Sequence, residues 1–447
     1  MSNFIDRPRY ACALGGAIAT MRVIPRAVPI IHASTGCGQN LHVAINSGSG
    51  YIGGGYCGGN ALPSSNIVER DIVFGGEDRL REQIKTTLEI MDGDIFVVLT
   101  GCMVEMIGDD IDAVVSEFAE EDKPVIAIRT PAFKGNSYVG YEFVLSGLIK
   151  KYVAKQKNKV SGKVNVLGIV PAQDPFWQGN LKEIKRLLNR LGLEANTFFG
   201  EGETLEDIKN AGNASLNIVI SEVYGVQSAR LFEEVHGIPY ITTELPIGAH
   251  ATEDFIRKIS ARLNIDKALS DEVISSEKKL YYGYVERLAD IYHDVDLQRY
   301  AVVVGDCNYA PAVTKFLSDE LGWLPELTVI TDIPIDEELK EKVVSGLDGM
   351  KSGLKANVRF DTNTSSVKKY LAEVWERSRN QRYYDSMTPL VIVGSSFERD
   401  LAAEFNAPLV TVAHPVTNRV VLNRAYAGIN GGLSLTEDVL SSVVFGR

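Results

Sequence analysis

Five cysteines are spread along the 447 residues, at Cys12, Cys37, Cys57, Cys102 and Cys307. Three of them mark the ends of apolar, glycine-punctuated segments, "YACALGGA", "PIIHASTGCGQN" and "VVLTGCMVEMIGDD". Thiolates are the usual ligands of iron–sulfur clusters, and a four-iron cluster ordinarily takes four of them. Cys12, Cys37 and Cys102 leave such a set one ligand short, so either Cys57 completes it or a second chain does. The spacing has none of the tight C-x₂-C-x₂-C character of ferredoxins. The competing reading makes each thiol a small buried hydrophobe. Disulfides are not expected from an odd number of scattered cysteines in a large chain without an export signal.

Local context favours the metal chemistry at these three. The glycines after Cys12 allow a backbone to approach a large group closely. Cys37 lies in a turn after an apolar run. Cys102 ends a strand and precedes a helix, whose N-terminus would stabilise a thiolate or an anionic cluster. The remaining candidates read as structural. Cys57 is flanked by glycines, which impose no ligand geometry. Cys307 in "GDCN" is expected to be a buried strand-end cysteine. His32 and His414 are expected to hydrogen-bond within the fold. Asp109 and Asp110 are expected to cap a helix. "GSGYIG" carries glycines at Gly48, Gly50 and Gly53, but no helix follows, as a phosphate-cradling loop requires; a tight loop packed against something bulky is expected instead. No G-x-x-x-x-G-K-[ST] loop occurs, so this chain is not expected to hydrolyse ATP itself. There is no nucleophile elbow or zincin helix.

The elements that must position these residues follow one pattern. Short β-branched runs end in small or polar residues and lead into amphipathic stretches, as in "DIFVVLTGC" before "IGDDIDAVVSEFAEE" and "KVNVLGIVPAQD" before "NLKEIKRLLNRLG". Continuous apolar strands alternating with helices predict parallel sheets covered on both faces. A lysine-rich stretch at 151–163 and a long helical pattern at 266–296 divide the chain. Three Rossmann-like, doubly wound parallel α/β domains are predicted, at 1–155, 156–296 (with the long connecting helix) and 297–447. In such sheets ligands gather at the carboxyl ends of strands, where Cys102, Cys307 and His414 fall. The composition is globular, with 45% apolar and 23% charged residues. A net charge of −12 argues against general nucleic-acid binding. No apolar run reaches the roughly eighteen residues of a membrane span, and no secretory signal precedes the first strand, so a cytoplasmic protein is expected.

These motifs resemble component 1 of nitrogenase and its relatives. The resemblance is carried by "CALGGA" around Cys12, "IIHASTGCGQN" around Cys37, "RDIVFGGEDRLREQI", "TGCMVEMIGDDIDAV" around Cys102 and "RTPAFKGNSYVGYEF". It continues more weakly through "GIPYITTELPIG", "VVVGDCN" and "PLVTVAHPVTNRVVLNRAYAGINGG", and so covers nearly the whole chain. It implies an α₂β₂ assembly in which each αβ pair shares an iron–sulfur P-cluster, of [8Fe-7S] or variant [4Fe-4S] type. Cys12, Cys37 and Cys102 align with the three P-cluster cysteines of one subunit, and a homologous α-type partner would supply the others. An ATP-hydrolysing iron protein would donate electrons.

The resemblance further implies a β-type subunit without an active-site cofactor. Ser221 falls where the α subunit has its cofactor cysteine, and serine is a poor iron ligand unless deprotonated. His414 aligns with a non-ligand position, one residue from the α histidine by another alignment. "GCGQ" and "DIVFGG" are similar to the α subunit instead. Ala132 stands at the position of an extra serine ligand in β subunits, the segment before Cys12 is short, and the loop carrying Cys57 is inserted. These departures imply a divergent nitrogenase or a nitrogenase-like reductase. The alternative is a non-catalytic scaffold for cofactor assembly, and a homo-oligomeric cluster enzyme is a third option.

Overall fold

The structure is a computed structural model that describes residues 5, 7–34, 36–51, 62–118, 123–334, 336–375 and 389–445. Cys57 and Gly53 lie outside the described residues. Twelve strands are described, in three all-parallel sheets. The first has order β1-β2-β3, with β1 Ala27–His32, β2 Ile95–Thr100 and β3 Val125–Ile128. The second comprises β4 Lys163–Leu167, β5 Glu194–Asn196, β6 Leu216–Val219 and β7 Tyr240–Thr242, in the order β5-β4-β6-β7. The third has β8 Tyr300–Gly305, β9 Leu324–Ile330, β10 Val358–Phe360, β11 Leu390–Gly394 and β12 Leu409–Thr411, in the order β10-β9-β8-β11-β12.

The strands form where the sequence is continuously apolar. Every residue of β2 and β11 is buried, as expected when helices cover both faces of a parallel sheet. Register is set by these runs: Ala27 to His32 pair in order with Ile95 to Thr100. That pairing brings the ends of β1 and β2, and hence the segments leading to Cys37 and Cys102, to the same edge. One large apolar core runs through all three sheets, and two smaller ones lie under outer faces of the first and third. The three sheets fall within the three sequence intervals. The C-terminal helix Gly428–Phe445 leaves the third interval and packs on the helices Gly248–Leu263, Lys267–Val285 and Trp177–Arg190 of the second.

The long helical pattern at 266–296 is not one helix. It runs from Lys267 to Val285, tightens into a 3₁₀ turn at Glu286–Leu288 and resumes at Ala289–Asp294. The first part is held by fully buried Val273, Ile274 and Tyr281, whereas in the later two Leu288 and Tyr292 are only partly buried against the core, a weaker hold on α geometry. Among the described residues, no helix is long and apolar enough to cross a membrane.

Candidate metal centre

Cys12 is the N-cap residue of helix Ala13–Arg22. Residues 13–21 of that helix are all buried, because it runs through the molecule's interior against helix Ser137–Lys151. Glycines make the crossing possible. A Cβ on Gly16 would sit 1.8 Å from the Ser137 carbonyl oxygen, and one on Gly140 would sit 2.0 Å from that of Ala13. The chain then closes around Cys12 from the other side: the Ala13 amide donates to the Gly135 carbonyl at 3.1 Å, and Cys12 pairs with Asn136 in an isolated antiparallel bridge. Ala132 begins the one-turn 3₁₀ helix, Ala132–Lys134, that feeds this contact, and its methyl group offers no ligand atom.

Cys37 lies in the turn beyond β1, with its sulfur 3.3 Å from the Ser34 hydroxyl. Cys102 opens helix Cys102–Ile107 directly after β2. Both β strands therefore deliver a cysteine from the same sheet edge, and the buried helix delivers the third. All three side chains are half-buried. Burial raises the Cys12 thiol; the amides of Gly15 and Leu14, aimed at it from the first helical turn, partly offset that, and the nearby charges of Cys102 and Cys37 raise it further. Cys12 is thus within electrostatic reach of each of the other two thiols. Among the described residues no three histidine, cysteine or acidic side chains stand close enough for one metal ion. Helix-terminus amides also reach the Cys12 sulfur, from Gly15 and Leu14.

The other sequence candidates resolve individually. His32 is fully buried and links two elements: Nδ1 lies 2.9 Å from the Ser65 hydroxyl and Nε2 3.1 Å from Asp109. Burial lowers its pKa despite Asp109, so the ring is neutral, accepting from Ser65 and donating to Asp109. Asp110 caps helix Ile111–Ser116 by accepting from the Ala113 amide at 3.1 Å. Asp109 does not cap that helix: its carboxylate instead accepts from the Gly76 amide and from His32, because burial beside the loop turns it inward. The Cys307 thiol is buried, and its amide donates to Asp332 at 2.9 Å. The glycine loop at 48–50 does pack against bulk, with Gly48 on the His414 ring and Gly50 on Val421. His414 is buried there, pushed down to about 4 by desolvation, and stays neutral.

Ser221 is committed to the fold. Its hydroxyl accepts from the Val223 and Tyr224 amides at 2.9 and 2.8 Å and donates to Asn308 at 2.6 Å. Asn308 also donates to the carbonyls of Gly168 and Ile220, which follow β4 and β6. That is the point where the second sheet's strand order reverses, the usual ligand crevice of such a sheet. At the corresponding reversal of the third sheet, Arg9 donates to Ser395 at 3.0 Å and forms a buried ion pair with Glu398. Both crevices hold this chain's own side chains. Nothing in the sequence pattern pointed to Asn308 or Arg9, whose partners lie 87 to 389 residues away. Ser34, three residues before Cys37, was the one unread neighbour that spacing alone could have supplied.

The family model of nitrogenase component 1 type oxidoreductases matches residues 12–443. The chain belongs to this family. Its start coincides with Cys12 and its span takes in all three sheets. Among curated relatives, the nitrogenase molybdenum-iron protein beta chain of Clostridium pasteurianum is 24% identical, over 98% of this chain and 93% of the relative. The molybdenum-iron protein beta chain of Azotobacter vinelandii is 24% identical over 98% of this chain and 84% of the relative. The vanadium-iron protein beta chain of Trichormus variabilis is 22% identical over 94% and 89%. Among solved structures, nitrogenase Cp1 at pH 6.5 superposes with a TM-score of 0.81 at 20% identity, covering 100% of this chain and 94% of the other. The component 1 fold, with its Rossmann-like α/β units, is therefore the fold of this oxidoreductase subunit.

Proposed function

We propose that this chain is a β-type subunit of a nitrogenase or nitrogenase-like reductase. In this reading Cys12, Cys37 and Cys102 hold one side of a P-cluster-type iron–sulfur cluster, and a homologous α-type subunit encloses the other side. The observation that carries it is that three half-buried cysteines, one from a buried helix and two from beyond the carboxyl ends of adjacent strands, belong to the same region of the first unit, with Cys12 within electrostatic reach of the other two. That donor set fits a shared cluster: all are soft sulfur ligands, and none is shielded from a partner. The surroundings fit as well. Phe74, Met106 and Phe133 are 81%, 78% and 63% exposed, on or beside the elements that carry Cys102 and Cys12. Large apolar side chains left in water next to a donor site mark a surface that another chain covers. The similarity to beta chains across nearly the full length supports the subunit type.

When bound, the cluster would store and pass single electrons between an ATP-hydrolysing iron protein and the partner's active site. This chain's residues would do three things for it. The three thiolates would fix its position. The Gly15 and Leu14 amides would offset negative charge at Cys12, and the apolar rim would exclude water once the subunits meet. The commitment of Ser221 to Val223, Tyr224 and Asn308 supports a subunit with no second cofactor of its own.

The test is anaerobic purification with the partner subunit, followed by iron analysis and sedimentation. Cys37→Ala is expected to lose most of the cluster iron and to weaken subunit association, with an unchanged far-ultraviolet circular dichroism spectrum. Full iron and full assembly in that variant would overturn the ligand assignment. Turnover with an iron protein and ATP separates a reductase subunit from an assembly scaffold, which would hand its cluster to an acceptor with little turnover.

A further inference from the structure

Three tyrosines form a contiguous stack through the junction of the three sheets. Tyr10 stands two residues before Cys12, and its ring meets Tyr138 edge-on with centroids 5.2 Å apart. Tyr138 lies flat on Tyr224, at 4.1 Å and an interplanar angle of 6°. Each of the last two phenols donates to a buried carboxylate: Tyr138 to Asp306 at 2.7 Å, and Tyr224 to Asp332. Tyr138 and Tyr224 are 4% exposed, yet both, with Asp332, line a cavity of about 560 Å³ whose rim carries Gln227, Arg230 and Lys134. The stack therefore connects the neighbourhood of Cys12 to a cavity that solutes can enter. Phenylalanine would pack as well in a purely structural stack. Phenols paired with carboxylates add a specific chemistry, because tyrosine gives up an electron readily only when its proton has somewhere to go.

We propose that Tyr10, Tyr138 and Tyr224 form a conduit that delivers single electrons from the cavity to strong oxidants arising near Cys12. Its protective role rests on the cluster reading; its conductance does not. The oxidant is a one-electron species such as an oxygen-derived radical. It takes the phenolic hydrogen atom of Tyr10, and the Tyr10 radical is restored by an electron from Tyr138 and a proton from water as the Tyr138 phenolic proton moves to Asp306. Tyr138 is refilled in turn by Tyr224, whose proton moves to Asp332 while Asp306 returns its own to Tyr138. A low-molecular-weight thiol in the cavity then gives one electron to the Tyr224 radical, releases its proton to the cavity water and leaves as a thiyl radical, and Asp332 returns its proton to Tyr224. The carboxylates suit this exchange. Burial and the neighbouring Asp306 push Asp332 up to about 7, so it takes and returns a proton near neutrality.

The test drives the chain from its outer end in the full-length protein. A ruthenium photosensitiser is clicked onto Gln227→azidophenylalanine at the exposed cavity rim, which leaves every native cysteine unmodified. After photolysis in air with a sacrificial acceptor, peptide mass spectrometry maps hydroxylated tyrosines. Tyr10 is expected to be hydroxylated when Tyr138 is present, and severalfold less in Tyr138→Phe, which keeps the ring packing and removes the phenol. Asp306→Asn is expected to reduce Tyr10 hydroxylation while leaving that of Tyr224. No Tyr10 product in the labelled parent, or equal Tyr10 product in Tyr138→Phe, overturns the conduit. Neither readout involves iron, so a cluster-free chain still decides the question.

Discussion

Ser221 illustrates how a single side chain separates two subunit types. Its oxygen satisfies two backbone amides and holds Asn308 across the second sheet's crevice. Ser221→Ala strands those amides in a buried site, at a cost of about 1–3 kcal/mol. The expected result is a lower urea unfolding midpoint with iron per chain unchanged. A loss of iron matching that of Cys37→Ala would instead make Ser221 part of the metal centre. Cys12 differs from Cys37 at this scale too. Two helix amides point at its sulfur, whereas the Cys37 sulfur has a serine hydroxyl beside it.

At the scale of elements, the metal centre depends on one helix crossing. Helices Ala13–Arg22 and Ser137–Lys151 touch through glycine on both sides, and each glycine faces the other helix's backbone, not a side chain that could swing away. Gly140→Ala must therefore push the helices apart, with overpacking of this kind costing typically about 1–3 kcal/mol. Because Cys12 rides on the displaced helix, the variant is expected to bind less iron even where circular dichroism shows it folded. Retention of full iron would mean that Cys12 can move without loss of the site. Gly16 predicts the same outcome from the opposite face, against Ser137.

At the scale of the whole molecule, buried acids sit at the junctions between units and link stability to pH. Asp174 accepts from Tyr309 and Asn180, and Asn180 in turn holds the amides of Tyr426 and Ala427 near the start of the C-terminal helix. Desolvation pushes Asp174 up to about 7, although every donor around it favours the charged form. In an unfolded chain it would titrate near 3.9. The folded state thus binds the extra proton between those values, so this group's contribution is complete below about pH 4 and is lost as pH rises through about 7. Asp174→Asn keeps a neutral side chain at every pH. Its unfolding midpoint relative to the parent is expected to rise between about pH 4 and about pH 7, by an amount whose ceiling is on the order of 4 kcal/mol. A constant difference across that range would show that Asp174 stays ionised in the fold.

Much of the local organisation was legible from residue order. Apolar runs such as "DIFVVLT" and "YAVVVG" became parallel strands because a strand buried on both faces needs no alternation to be recognised. Placing Cys102 at a strand end followed from the same run, and the motifs around Cys12 and Cys37 carried the family likeness that the full-length match to component 1 then established. The helical pattern at 266–296 is broken by a 3₁₀ turn at Glu286–Leu288 because its periodicity continues past the point where full burial gives way to partial burial. Other features had no local trace. The nearness of Cys12 to Cys37 and Cys102, the plugging of the sheet crevices by Asn308 and Arg9, the inward turn of Asp109 and the tyrosine stack all join residues far apart in the chain. Hydrophobic pattern and turn chemistry are properties of neighbours along the backbone, so sequence alone determined which elements form and, the break at Glu286–Leu288 apart, broadly where they lie. Which side chains meet depends on how helices cross and sheets abut, and those contacts exist only once the three units have packed together.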